Sequence, residues 1–169
     1  MRWISWIVLL AAAPAAGQCE ITSLQNSDAV PGDFFGSGVA LDGNTAVVST
    51  GASVVYVFQR TPSGWIETQK LTSSSTGQGT GFGQRMALDG DHLLMGAVGD
   101  ATQGQLAGAV VAFERIAGTW VEVQKLFASD AGPGHYFGRD LALDGDRVVI
   151  GGPWGLPAAF AHRAGQGRA

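Results

Sequence analysis

The chain has 169 residues, enough for one domain that buries about two thirds of its unfolded surface. Only 14% of the residues are charged, 46% are hydrophobic and 26 residues are glycine, a composition that excludes intrinsic disorder and favours a turn-rich globular protein. The net charge is −4 and the basic residues are scattered along the chain, so no basic surface is available for nucleic acid and no such partner is expected.

The N-terminal stretch MRWISWIVLLAAAPAAG has the layout of a secretory signal peptide: a basic residue, an apolar run, a proline and small residues. We predict that residues 1–17 are this signal and that the mature chain, residues 18–169, is secreted or held at the cell surface or in the periplasm. The apolar run is about half of the ~20 residues that span a bilayer, so no membrane span is expected after removal of the signal. A buried N-terminal helix is the alternative.

The chain has one cysteine, Cys19, directly after the predicted start of the mature protein. A lipid-anchored export signal also ends at a cysteine, but it has a small residue just before it, where this chain has Gln18. A single thiol has no partner for a disulfide within the chain. Cys19 is therefore predicted to be free or to pair with another chain.

The phrase Ala-Leu-Asp-Gly occurs three times, at residues 40–43, 87–90 and 142–145, with intervals of 47 and 55 residues. A second phrase, GWIETQKL and later TWVEVQKL, also recurs after 55 residues. The shorter first interval is explained by one loop, because the second copy carries an extra VGDATQGQLAG at 98–108. One variable loop in a constant framework indicates a supersecondary unit that is repeated in space.

Each unit predicts four short strands. The first ends at an Asp-Gly turn, the strongest short-range hairpin signal, and the second is an unbroken apolar run typical of a strand covered on both faces. The third is rich in valine and aromatic residues, and the fourth mixes polar and apolar residues and is expected to lie outermost. The predicted positions are 39–41, 86–88 and 141–143, then 46–49, 93–96 and 148–151, then 54–58, 110–113 and near 158–162, and finally 65–71 and 120–126. No segment after the signal shows helical periodicity, so the predicted fold class is all-β.

A Phe-Gly pair precedes the first strand of every unit, at residues 35–36, 82–83 and 137–138. We expect the phenylalanine to wedge between neighbouring sheets and the glycine to let two backbones approach. Phe-Gly, then (Val/Met/Leu)-Ala-Leu-Asp-Gly, then an apolar strand that ends in Gly-Ala or Gly-Gly-Pro resembles the FG-GAP repeat of integrin α-subunits and of exported bacterial proteins. The resemblance covers about residues 20–155.

The resemblance implies a β-propeller made of blades of four antiparallel strands. The repeat units are residues 35–71, 82–126 and 137–163. In addition, residues 20–36 align without gaps on residues 122–138, so residues 20–25 are predicted to be a leading outer strand. Within one chain, this strand is expected to complete the last blade.

These units amount to about three blades, whereas propellers usually have 4–8. Three blades side by side leave exposed strand edges, which pair readily with other chains. Two explanations stay open: identical chains complete a ring as a homo-oligomer, or the chain is a truncated relative of a longer protein.

No catalytic, metal or cofactor site is predicted. Integrin repeats often hold Ca²⁺ in a longer loop, whereas the two-residue Asp-Gly turns here cannot supply the 6–8 oxygen ligands that Ca²⁺ needs, so we interpret their aspartates as turn-formers with solvated charges. The glycine-rich stretch at 77–85 precedes a strand, whereas a phosphate-binding loop precedes a helix. His92, His135 and His162 have no nucleophile or carboxylate that the repeat places beside them, which favours surface roles.

Recognition is expected at the loops opposite the Asp-Gly turns, at residues 71–81, 97–107 and 127–136, because loops on a rigid scaffold commonly carry binding sites. The similar face binds partners in integrin propellers, although the loops can also be read as merely variable connections. The candidate ligand-binding residues are Asp100, Gln103, His135 and Tyr136.

The predicted function is that of an exported, non-catalytic FG-GAP module that binds an unidentified protein or surface ligand at the cell surface or outside the cell. The alternative is a truncated, non-functional remnant of a longer propeller adhesin or propeller enzyme.

Overall fold

The computed structural model describes residues 7–12, 19–77, 79–154 and 160–163. These residues form thirteen β-strands and no helix, so the all-β prediction is confirmed, and none of the described elements is a helix long and apolar enough to cross a membrane. The predicted signal boundary falls outside the described residues. The strands are β1 Ile7–Ala12, β2 Cys19–Leu24, β3 Val39–Asp42, β4 Thr45–Ser49, β5 Val55–Thr61, β6 Gly64–Leu71, β7 Met86–Asp89, β8 His92–Ala97, β9 Ala109–Ile116, β10 Thr119–Leu126, β11 Asp140–Asp144, β12 Arg147–Gly151 and β13 Phe160–Arg163.

The strands form antiparallel sheets that follow the repeat units in chain order. Blade 1 has the strand order β3-β4-β5-β6 and blade 2 has the order β7-β8-β9-β10. Blade 3 contains β11-β12-β13, and its third strand lies close to the predicted position. Sheets of four antiparallel strands joined by consecutive hairpins have the form of propeller blades. The predicted blade architecture is therefore confirmed, and the last blade is three-stranded within the described part of the chain.

The leading strand does not complete the last blade, so that expectation was wrong. β2 pairs with β1, from Ile7 opposite Leu24 to Ala12 opposite Cys19, in a separate two-stranded sheet. β1 lies only a few residues before β2, so this pairing closes a short loop. Pairing with β13 would close a loop of nearly the whole chain, at a larger entropic cost.

The segment after β2 nevertheless contacts blade 1 in the same way as the segment after the fourth strand of blade 1 contacts blade 2. Leu24 is buried in an apolar cluster on the face of blade 1 that points away from blade 2. The Ser27 N–H donates to Glu67 (2.8 Å), and the Ser74 N–H donates to the equivalent Glu122 of blade 2 (2.9 Å). β2 therefore leads into blade 1 as a fourth strand leads into the following blade.

The second strands are covered on both faces in blades 1 and 2, as predicted. Every residue of β4 is buried, and so are all residues of β8 except His92. In β12, buried and exposed residues alternate, so the prediction was wrong for this strand. The reason is that blade 3 packs on blade 2 with one face, while no described sheet covers its other face.

Each phenylalanine of the Phe-Gly pairs is buried against a sheet face, and Phe82 and Phe137 lie between neighbouring sheets as predicted. Phe82 lies in the apolar cluster between blades 1 and 2, where its ring centroid is 6.2 Å from that of Phe113. Phe137 lies in the cluster between blades 2 and 3, and Phe35 lies in the cluster on the free face of blade 1. Two of the three apolar clusters of the described residues therefore lie between blades, and every Phe-Gly pair contributes to one of the three.

The blades approach so closely near the first strands that glycine is required there. A Cβ atom on Gly96 would lie 2.1 Å from the carbonyl oxygen of Gly138, and one on Gly38 would lie 2.2 Å from that of Gly83. Gly83 and Gly138 also have positive φ angles, 80° and 87°, which L side chains rarely adopt. The predicted role of the Phe-Gly glycines in close backbone approach is confirmed.

The Asp-Gly turns also link the blades to one another. Gly43, Gly90 and Gly145 have φ angles of 51°, 56° and 58°, as expected for glycine at the first central position of a type II′ hairpin turn. The Gly90 N–H donates to the carboxylate of Asp42 (2.8 Å), and the Gly145 N–H donates to that of Asp89. Asp42 and Asp89 therefore carry an exposed hydrogen bond to the next turn in addition to their place at the turn, a role that the sequence did not predict.

Candidate functional site

The candidate loops lie at one end of the blades, which we call the loop face. In each blade the first strand runs from the Phe-Gly pair to the Asp-Gly turn and the second strand returns, so the connections between blades and the loops after the second strands share the opposite end. The described parts of the three predicted loop segments belong to this face, apart from Leu71 and Ala97, which are the last residues of β6 and β8. The loop face consists of residues 25–38, 50–54, 72–77, 79–85, 98–108, 127–139 and 152–154.

Backbone hydrogen bonds join the predicted loops into one continuous surface. The Gly99 N–H donates to the carbonyl of Thr80 (2.8 Å) and connects the first loop to the second. The second and third loops are joined by a parallel ladder of Gly134 N–H to Gln105 O (2.8 Å), Tyr136 N–H to Leu106 O (3.0 Å) and Phe137 N–H to Ala107 O (2.9 Å). Segments that are far apart in sequence therefore form a single scaffold rather than independent loops.

Asp100 is buried beneath this surface and links its loop segments. Its buried carboxylate pairs with the Lys125 ammonium (2.7 Å) and accepts the Thr102 N–H (3.0 Å), while Lys125 also donates to the carbonyl of Ser75 (2.6 Å). Burial acts to raise the pKa of Asp100, but hydrogen bonds from Lys125 and Thr102 outweigh it and leave the pKa below its ordinary value. Asp100 therefore holds the loops together instead of presenting its carboxylate to solvent.

The other three candidates lie at the surface of the same loops. Gln103 is exposed, and His135 and Tyr136 are half-buried. The Nδ1 atom of His135 is buried without a hydrogen-bond partner among the described residues. The structure thus brings Gln103, His135 and Tyr136 to one loop pair, with Asp100 beneath it.

The residue before each Phe-Gly pair has a left-handed backbone in all three repeats. The φ angles are 53° at Phe34, 73° at Gly81 and 52° at Tyr136. Glycine adopts this conformation without cost, whereas a bulky aromatic residue is strained by roughly 1–2 kcal/mol. Such strain is concentrated at functional sites. Two repeats therefore place an aromatic residue, Phe34 or Tyr136, at a backbone position where the middle repeat has glycine. The fold itself requires only glycine at this position.

Sequence reasoning missed Phe34, which is 71% exposed, and Trp154, which is 72% exposed. Leu106 and Val30 add exposed apolar surface on the same face. An alignment of the repeats could have identified Phe34, because the middle repeat has glycine at the same position. Exposed aromatic side chains on an otherwise polar loop surface are typical of recognition sites.

A cleft of about 210 Å³ opens on the loop face between blades 2 and 3. Two arginines contribute to its wall, Arg85 and Arg139, and both are exposed. The Arg85 guanidinium donates to the carbonyl of Gln84 (3.1 Å), and neither arginine forms an ion pair with a described residue. The cleft is lined by Gly81, Gln84, Arg85, Gly96, Val98, Gly138 and Arg139.

Sequence reasoning missed these arginines as well, although each one closely follows the Phe-Gly pair of its repeat. Three glycines in the lining keep the walls free of side chains, so the guanidinium groups are the main functional groups of the cleft. Arginine recognises carboxylate and phosphate groups through paired N–H donors. The geometry is suited to binding an anionic group.

The other carboxylates with shifted pKa values are engaged within the fold. Hydrogen bonds from Lys70 and Tyr56 hold the pKa of Asp28 below its ordinary value. Burial acts to raise the pKa of Glu122, but hydrogen bonds from Ser75 and its neighbours lower it overall. Across the described ranges, no group of three or more His, Cys, Asp or Glu side chains is placed to hold a metal ion.

Comparison with known proteins agrees with this architecture. The family model described as FG-GAP repeat matches residues 20–54, 65–113 and 120–161, which is more than half of the chain. Each matched stretch contains one Phe-Gly pair and one Asp-Gly turn. A search of curated proteins found no match.

Proposed function

The chain belongs to the FG-GAP repeat family, and on that basis we propose that it is an exported, non-catalytic propeller module that binds a protein or other ligand through its loop face. FG-GAP repeats form propellers of the binding type, and they typically occur in extracellular proteins. The loop face is the part of this chain where joined loops, strained aromatic residues and unpaired arginines coincide. The module therefore acts by recognition rather than by chemistry.

The ligand carries an acidic group that enters the cleft between blades 2 and 3. The observation that carries this proposal is the pair of guanidinium groups, Arg85 and Arg139, in one cleft with no carboxylate partner among the described residues. In a chain with a net charge of −4, two such groups form a local positive site in an acidic surface. This arrangement attracts an acidic ligand to the cleft.

Aromatic side chains supply the apolar part of the binding surface. Phe34 and Tyr136 occupy the same position in two repeats, and Trp154 is exposed on the loop that follows β12. Arginine and large aromatic residues contribute most of the binding energy in protein interfaces. A ligand that combines carboxylate and apolar groups, such as an acidic segment of a protein, matches this composition.

A non-catalytic role is supported by the state of the carboxylates. A general acid requires a raised pKa, whereas Asp28, Asp100 and Glu122 have lowered pKa values because each accepts hydrogen bonds within the fold. The two arginines of the cleft offer charge but no proton acceptor. Asp28, Asp100 and Glu122 are therefore poorly suited to general-acid catalysis.

Export is tested by expressing the full chain with its own N-terminus and measuring the intact mass of the exported protein. A start at Gln18 is expected. Exported protein that retains Met1, or no export at all, contradicts this part of the proposal.

Acidic-ligand binding is tested by fluorescence anisotropy with a labelled hexaglutamate peptide and a labelled hexaglutamine control. We expect hexaglutamate to bind, hexaglutamine not to bind, and the affinity for hexaglutamate to fall as salt is added. The double variant Arg85→Ala/Arg139→Ala is expected to weaken binding at least tenfold, about 1.4 kcal/mol. Arg147→Ala is the matched control, because Arg147 is an exposed arginine at the opposite end of the blades. Equal loss in the control variant, or absence of hexaglutamate binding, refutes the proposed ligand chemistry.

A further inference from the structure

The face of blade 3 that points away from blade 2 has the apolar residues of a contact between blades, but no described blade covers it. The middle residue of the second strand is Val47 in blade 1, Leu94 in blade 2 and Val149 in blade 3. Val47 is fully buried and Leu94 is 4% exposed because the next blade covers each of them, whereas Val149 is 46% exposed. Ala142, paired with Val149 in the register of β11 and β12, is exposed as well.

The face of blade 1 that points away from blade 2 exposes part of the complementary half of this contact: its second and third strands are buried, but its first strand is not. In blades 2 and 3 the first strand packs its apolar residues against the cluster shared with the preceding blade, for example Leu88 and Leu143. The equivalent residue in blade 1 is Leu41, which is 56% exposed, and its neighbour Val39 is also exposed. The first strand of blade 1 and the outward face of blade 3 thus expose opposite sides of one repeated junction.

The hydrogen bonds between the Asp-Gly turns show the same complementarity. Each internal junction joins the aspartate of one turn to the glycine N–H of the next, as in Asp42 with Gly90. Among the described residues, the carboxylate of Asp144 has no donor and the N–H of Gly43 has no acceptor. The acceptor lies on blade 3 and the donor lies on blade 1, so one chain offers both halves of a further bond.

The strand edges of blade 3 and of β2 are complementary as well. Blade 3 ends at β13, the position of a third strand, so its fourth-strand position is open within the described residues. β2 leads into blade 1 as a fourth strand does, and its pairing edge is occupied by β1. β1 lies inside the predicted signal, so export with removal of residues 1–17 releases this edge.

We propose that blade 1 of a second copy of this chain docks on blade 3, with Asp144 of one copy accepting the Gly43 N–H of the other. The β2 strand of the second copy then pairs with β13 and completes blade 3. This strand pairing rests on the proposed export and processing. A head-to-tail contact closes when its rotation completes a ring. Two copies supply about six blades, within the usual range of propellers.

The experiment is light scattering during gel filtration on the exported protein, over a concentration series, together with its intact mass. The expected result is a species with twice the mass of one processed chain. Val149→Lys and Leu41→Lys each place a charge in the contact and are expected to yield monomers. The combination Val149→Lys/Leu41→Glu is expected to restore the dimer. Ile66→Lys is the matched control, because Ile66 is equally exposed but lies on an outer strand, and it is expected to remain a dimer.

All substituted residues are exposed, so circular dichroism is expected to show unchanged folding in every variant. A processed chain that is monomeric at all concentrations refutes the dimer alone. An unprocessed chain refutes the export proposal through its mass, independently of its oligomeric state. A dimer that Val149→Lys and Leu41→Lys leave intact, or that Ile66→Lys disrupts equally, refutes the proposed contact.

Discussion

The carboxylate of Asp42 accepts a hydrogen bond of 2.8 Å from the backbone N–H of Gly90, one repeat further along the chain. The same bond joins Asp89 to Gly145. The aspartate and the glycine of the repeated Ala-Leu-Asp-Gly phrase therefore have different functions, because the glycine shapes the turn while the aspartate holds the next turn in place. This hydrogen bond accounts for the acidic residue at the first two turns.

Removal of this bond is expected to lower the stability of the blade stack. Asp89→Ala leaves the Gly145 N–H without its charged acceptor, and a loss of about 1.5 kcal/mol in the free energy of unfolding is expected. Asp89→Asn keeps an oxygen acceptor and is expected to lose less than half as much. Urea unfolding followed by circular dichroism measures both. Equal losses in the two variants would show that charge, and not the hydrogen bond, is what matters.

The close approach of blades 2 and 3 makes Gly96 intolerant of any side chain. The Cβ atom of Gly96→Ala would lie 2.1 Å from a carbonyl oxygen of the neighbouring backbone, so the blades must separate. We expect Gly96→Ala to lower the free energy of unfolding by about 3 kcal/mol, the upper end of the range for an overpacked core. Gly77→Ala is the control, since a Cβ there meets nothing within 4 Å and φ is not positive. Thermal unfolding compares them, and similar melting temperatures contradict the close contact.

The ion pair between Asp100 and Lys125 predicts a pH-dependent stability. The pKa of Asp100 is lowered in the folded protein from its ordinary value of 3.8, so its contribution is fully present above about pH 4 and is lost as the pH falls through the folded-state pKa. Asp100→Asn leaves Lys125 nearly buried without a counter-charge, and a loss of about 3 kcal/mol at pH 7 is expected.

The measurement for Asp100 is the urea midpoint between pH 7 and pH 2.5. The wild-type protein is expected to lose stability below about pH 4 more steeply than Asp100→Asn. Parallel profiles for the two proteins would show that Asp100 does not contribute to the acid sensitivity.

The strained backbone at Phe34 predicts a substitution that stabilises the fold. Phe34→Gly is expected to raise the free energy of unfolding by about 1 kcal/mol, because glycine adopts a φ of 53° without cost. Phe34→Ala keeps the Cβ atom and is expected to bring no such gain. Denaturant unfolding measures both variants. A gain of equal size in Phe34→Ala would assign the effect to the exposed ring rather than to the backbone.

Much of the architecture can be read from the repeated phrases. The Phe-Gly pairs predicted the wedges between blades, the Asp-Gly turns predicted the hairpins, and the apolar runs predicted β4 and β8 within one residue of their observed ends. β12 has the same apolar pattern but only one covered face, since a pattern reports what a strand can bury and not whether a neighbour is present. The candidate site was predicted in part. The sequence identified the loops, but it predicted Asp100 as a surface residue, whereas Asp100 is buried beneath the loop surface.

The sequence by itself determined the repeat, the all-β class and the hairpins of the described blades, because hydrophobic periodicity and turn residues act over a few neighbouring positions. Only the tertiary structure decided which residues meet across blades: the turn-to-turn hydrogen bonds, the ion pair beneath the loops and the cleft with Arg85 and Arg139. These contacts join residues from different repeats. They depend on the spacing and rotation between blades, which the packing of the buried faces sets and no local sequence signal contains.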